Sequence, residues 1–129
     1  MRIARTISFL LAVFLAPVTV LACFQVAESP IKYVSKQFAA NFSYEGKPLA
    51  GASVTLYEKQ KKSVIRSEVN PAGWVYFKDV PAGSYKLVFD GPSHEPFDVE
   101  FSRGSDVSNS LFISFYADYC HAVTVRAKY

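Results

Sequence analysis

Asn70-Pro71-Ala72-Gly73-Trp74-Val75-Tyr76-Phe77, followed after two residues by Val80-Pro81-Ala82-Gly83-Ser84-Tyr85-Lys86-Leu87-Val88-Phe89, is the stretch whose reading decides the fold. Proline fixes φ for a turn position, and glycine accepts backbone geometries that other residues resist, so each half opens on a turn. After each turn the apolar side chains alternate with their neighbours. Val75 and Phe77 fall on one face and Trp74 and Tyr76 on the other, and Tyr85, Leu87 and Phe89 share a face. A period of two is the signature of a half-buried β-strand, not of a helix.

The same rhythm extends in both directions. Phe38, Ala40, Phe42 and Tyr44 share a face, as do Val54 and Leu56 in the next run. Further on, Phe97, Val99 and Phe101 alternate with Asp98 and Glu100. Leu111, Ile113 and Phe115 follow, then Val123, Val125 and Ala127 against Thr124, Arg126 and Lys128. These apolar positions are the expected core. Turn formers separate the runs at Gly46-Lys47-Pro48 through Gly51, at the two turns quoted above, and at Asp90-Gly91-Pro92. Short strands at this spacing predict an all-β sandwich of seven to eight strands covering residues 36–129. Residues 23–35 read as an irregular lead-in.

The N-terminus reads as an export signal over residues 1–22. Arg2 and Arg5 precede an apolar run from Ile7 through Leu21, Pro17 interrupts it, and the small residue Ala22 closes it. Removal of that segment takes two of the 14 basic residues and leaves 12 against 11 acidic ones, a formal charge of +1. The remaining charges alternate in sign, without the basic stripe that a phosphate backbone requires, so nucleic acid is excluded as a partner.

Both cysteines, Cys23 and Cys120, lie beyond the signal. In an oxidising compartment they read as one disulfide, closing a loop that on the chain-entropy model stabilises the fold by roughly 4 kcal/mol. The alternative is a lipobox at Val20-Leu21-Ala22-Cys23, with Cys23 lipidated and the domain anchored to a membrane surface. That alternative leaves Cys120 a free thiol.

The motifs at the turns also resemble a known family. Gly46-Lys47-Pro48-Leu49-Ala50-Gly51-Ala52-Ser53-Val54-Thr55-Leu56 is similar to the opening motif of carboxypeptidase regulatory-like domains, prealbumin-like (transthyretin-like) sandwiches related to the Cna B-type repeats. The stretches from Asn70 to Phe77 and from Val80 to Leu87 resemble that family's later turn and Pro-x-Gly-x-Tyr signatures. The resemblance spans about residues 36–101 and implies a Greek-key prealbumin-like sandwich. It also implies a module for folding, spacing, adhesion or glycan contact, at the cell surface or secreted from the cell.

Catalytic or metal chemistry would need convergent His, Cys, Asp or Glu, and the histidines are only His94 and His121. His94 reads as part of a solvated turn and His121 as a strand-end surface residue. The enzymatic branch of the prealbumin fold, the hydroxyisourate hydrolases, is implied to use a C-terminal Tyr-Arg-Gly-Ser segment. This chain ends Arg126-Ala127-Lys128-Tyr129. No cofactor, metal or catalytic residue is therefore expected, and a small secreted hydrolase is the alternative reading. An isopeptide bond of the Cna B type, from Lys36 or Lys47 to Asn109 or Asp118, is a further hypothesis.

Aromatic residues make up 16% of the chain, and four of them fall on the outward parity of their strands: Trp74, Tyr76, Phe112 and Tyr116. They are the candidate contact surface for an unknown protein or glycan.

Overall fold

The structure, a computed structural model, describes residues 29–90, 96–116 and 120–127. The signal segment, Cys23, His94 and Asp118 lie outside the described residues. Ten strands and no helix occur among those described: β1 (Ile31–Ser35), β2 (Phe38–Tyr44), β3 (Lys47–Pro48), β4 (Ser53–Glu58), β5 (Val64–Glu68), β6 (Trp74–Phe77), β7 (Gly83–Asp90), β8 (Phe97–Arg103), β9 (Asn109–Tyr116) and β10 (Cys120–Ala127).

They form two sheets. Sheet A has the order β1-β8-β7-β4-β5; sheet B has the order β10-β9-β2-β3, with β6 also paired to β2. Both are mixed, since β1 runs parallel to β8 and β2 parallel to β9. One core lies between them, filled from sheet A by Val54, Leu56, Tyr85, Leu87 and Phe101 and from sheet B by Phe38, Phe42, Leu111, Ile113 and Phe115. Aromatic rings bridge the layers: Phe42 stacks on Phe89 at a centroid distance of 4.8 Å, and Phe89 on Phe115 at 5.2 Å.

The expected count of seven to eight strands falls short by β1 and the two-residue β3. Residues 31–35, expected to be irregular, belong to sheet A. Ile31, Tyr33 and Ser35 are buried between exposed Lys32 and Val34, so the period-two rule applies there as well. The run is only five residues long and ends on a serine, which hid it among the polar residues of the lead-in.

Ser35 and Tyr33 explain why β1 is fixed. The Tyr33 hydroxyl accepts the Ala39 amide proton at 3.0 Å, and its own proton faces the carbonyls of Asn109 (2.9 Å) and Ala39 (3.1 Å). Ser35 Oγ donates to the Asn109 carbonyl at 2.8 Å and accepts its amide at 3.0 Å. Two polar side chains thereby tie sheet A to β2 and β9 of sheet B, satisfying backbone groups that would otherwise be buried without partners.

Most of the expected core is buried. The departures lie at strand ends: Tyr44 and Ala127 are exposed, and Val123 and Val125 are only partly covered because β10 is an edge strand. Among the motif glycines, Gly51 and Gly73 have positive φ, whereas Gly83 begins a strand without it.

Candidate functional site

The residues with distinctive surface chemistry gather on the outer face of sheet B, and the turn before β6 places the first of them. Asn70 Oδ1 accepts the amide protons of Ala72 and Trp74, each at 2.9 Å, and the Gly73 amide donates to the Asn70 carbonyl. Gly73 sits at φ +92°, and its carbonyl receives the Phe42 amide at 2.8 Å. A Cβ there would stand 3.0 Å from the Phe42 carbonyl oxygen, so only glycine lets the turn close against β2. Trp74 consequently enters β6 opposite Asn41.

The register of four strands then sets out two rows. Thr124, Phe112, Asn41 and Trp74 lie in line across β10, β9, β2 and β6; Arg126, Ser110, Ala39 and Tyr76 lie in the next line. Trp74 and Tyr76 are stacked, with centroids 5.9 Å apart and planes 12° from parallel. The Phe112 ring meets Trp74 edge-on at 5.4 Å, above the intervening Asn41. The guanidinium carbon of Arg126 lies 3.9 Å from the Phe112 ring centroid, close enough for a cation–π contact. On the other side of the ring row, Ser43 and Ser114 pair through their hydroxyls at 3.3 Å.

Three of the four aromatic residues singled out in the sequence therefore form one cluster. Tyr116 is on the same face, but Ser114 separates it from Phe112, and four residues of strand span roughly 13 Å. The sequence alone does not bring Arg126 and the hydroxyl residues into this cluster. Their parity was legible, but which strands neighbour β9 was not, because β2 pairs with it across a long sequence separation.

The outer faces of the two sheets differ in charge. Sheet A presents Lys32, Arg66, Glu68, Lys86, Asp98 and Glu100, with Lys59 bridging Asp98 at 2.9 Å. The Lys59 ammonium holds the Asp98 carboxyl below its ordinary pKa. Among the described residues, the outward strand positions of sheet B carry one charged side chain, Arg126, and no carboxylate. A shallow cavity of about 270 Å³ lies on the outer face of sheet A, lined by Ser53, Thr55, Tyr57, Arg66, Val88 and Asp90. Its one internal polar contact is Arg66 Nε donating to Thr55 Oγ1 at 3.3 Å.

His121, expected at the surface, is half-buried and meets the Phe97 ring edge-on at 5.0 Å. Its parity, opposite to that of Cys120, turns it toward the core margin. Asn109, named for an isopeptide bond, donates its side-chain amide to the Val34 carbonyl at 3.1 Å. Cys120 opens β10 and is partly covered, and no free cysteine occurs among the described residues. Among the described residues no three His, Cys, Asp or Glu converge as metal ligands.

No protein-family model matches the chain, and no curated protein matches it significantly.

Proposed function

We propose that the chain is an exported, non-catalytic module of the prealbumin-like Greek-key type, akin to carboxypeptidase regulatory-like domains. It acts at the cell surface or outside the cell by contact through the outer face of sheet B. One observation carries this reading: the two outer faces are unlike. Sheet A has the mixed charge of an ordinary solvated surface, whereas sheet B gathers Trp74, Tyr76 and Phe112, with Arg126 against the Phe112 ring. Tyr76 is exposed and Trp74 and Phe112 are half-buried beside it, and apolar surface gathered in one place marks interaction sites in proteins generally.

Export rests on the reading of residues 1–22 as a signal. A Cys23–Cys120 disulfide is part of the proposal. A lipidated Cys23 would leave Cys120 a free thiol, and the lack of a free cysteine among the described residues supports the disulfide. Intact mass of the exported protein reads both features. Cleavage after Ala22 and a gain of two hydrogens on reduction are expected; an acylated N-terminus overturns the disulfide in favour of a lipid anchor.

The contact face is tested by co-sedimentation of the exported protein with the envelope fraction of the producing cells. Trp74→Ala is expected to lower the bound amount at least fivefold, and Lys86→Ala, on the opposite face, to leave it unchanged. Equal binding by wild type and Trp74→Ala overturns the assignment of the face.

A further inference from the structure

We propose that the outer face of sheet B takes an acidic glycan, a chain of sugars bearing carboxylates. The C–H faces of the sugars lie on the ring row and a carboxylate sits on Arg126. This rests on the contact-face reading above and narrows it to a ligand class.

Three features of the face select that class. The first is its composition. Its outward strand positions among the described residues hold aromatic rings, hydroxyls, an amide, small residues and Arg126, and no Leu, Ile, Val or Met. Ser110 and Ala39 are buried beneath this face, and the Ser43 and Ser114 hydroxyls are partly exposed beside the rings. Sugars present an apolar C–H face next to a rim of hydroxyls, and the ring row beside the Ser43–Ser114 pair offers a counterpart to each.

The second feature is the disposition of Arg126. Its guanidinium carbon lies 3.9 Å from the Phe112 ring centroid, and Arg126 is exposed. Among the described residues no carboxylate pairs with it; the ion pair found there joins Lys59 to Asp98 on the other sheet. A planar fork of N–H donors matches a carboxylate in two-pronged geometry, which a neutral sugar does not supply.

The third feature is the absence of competing charge. Among the described residues no outward strand position on this face is acidic, so a carboxylate lying along the ring row beside Arg126 meets no like charge from those strands, whereas the outer face of sheet A mixes Glu68, Asp98 and Glu100 with its cations.

Polygalacturonate and its methyl ester share a backbone and differ in charge, so they isolate the carboxylate. The exported protein is expected to bind polygalacturonate at least tenfold more tightly than the ester by isothermal titration calorimetry. Arg126→Gln is expected to abolish that preference, and Arg126→Lys to restore only part of it. Trp74→Ala weakens both polymers, and Arg66→Gln, on sheet A, changes neither. Thermal midpoints of the variants within about 2 °C of wild type show that the fold is kept; for a variant that falls outside this, protection of Arg126 from guanidinium-modifying reagent by polygalacturonate gives the same answer on the wild type. Equal affinity for acid and ester, with dependence on Trp74 retained, overturns the acidic class and leaves the contact face standing. Dextran sulfate bound as tightly as polygalacturonate, with Arg126→Gln unaffected, overturns it in favour of diffuse charge attraction. No binding to either polymer overturns the glycan assignment, while the envelope experiment judges the face independently.

Discussion

The Tyr33 hydroxyl accepts the amide proton of Ala39 at 3.0 Å, joining a strand of sheet A to a strand of sheet B through one buried oxygen. The same oxygen faces the carbonyls of Asn109, Ala39 and Gln37. Burial raises the pKa of this tyrosine, so the hydroxyl keeps its proton and its donor role at all physiological pH.

Tyr33→Phe keeps the ring, which packs edge-on against Phe38 at 5.0 Å, and removes only the oxygen. The Ala39 amide is then buried without its acceptor. A loss of about 1–3 kcal/mol is expected, the usual cost of a buried backbone group stripped of its partner. Equilibrium urea unfolding measures it; an unchanged midpoint would mean that water replaces the hydroxyl and that the tie between the sheets is dispensable.

Gly73 holds a left-handed conformation against the β2 backbone, and the Trp74 side chain follows directly from it. Gly73→Ala is expected to destabilise the fold by at least about 1–2 kcal/mol from backbone strain alone, with a further cost from the 3.0 Å approach to the Phe42 carbonyl. Gly51 has a similar φ with open space around the Cβ position, so Gly51→Ala is expected to cost less than Gly73→Ala. Thermal unfolding of the two variants side by side checks the order.

Glu58 closes the turn between β4 and β5, accepting the amides of Gln60 at 2.9 Å and Lys61 at 2.6 Å. Those two bonds favour the charged carboxylate and hold its pKa below the ordinary 4.5. A depressed pKa means that the native state binds fewer protons than the unfolded chain. The contribution of Glu58 is thus full above pH 4.5 and drains away as pH falls through the lower native value. Glu58→Gln should flatten the decline in melting temperature on the acid side of that range. Asp98, also depressed by Lys59, preserves a residual slope. Identical acid profiles for wild type and variant would show that the turn holds without the charge.

Much of this fold is written in local alternation. Phe97, Val99 and Phe101 announce their strand because each inward position is large and apolar and its neighbours are polar, and Leu111, Ile113 and Phe115 keep the same parity with Phe112 between the first two. Tyr33 and Ser35 are not legible in this way because their value lies in hydrogen bonds to Ala39 and Asn109, which are remote in sequence or across a strand crossing. The proposed contact face is half legible for the same reason. Parity alone turns Trp74, Tyr76 and Phe112 outward, but the meeting of Phe112 with Trp74, and of Arg126 with Phe112, depends on β9 lying between β2 and β10. Strand neighbours of that kind are set by how the whole core closes, which no short window of sequence carries.

Tyr57 and Tyr76 are almost equally exposed, at 40% and 45%, and lie on opposite outer faces, so the molecule contains its own control. Hydroxyl-radical footprinting of the exported protein, alone and with envelope material from the producing cells, compares the two directly. Oxidation of Trp74 and Tyr76 is expected to fall severalfold on binding while Tyr57 is modified at the same rate. Protection of Tyr57 with Tyr76 unprotected would move the contact to sheet A and contradict the account.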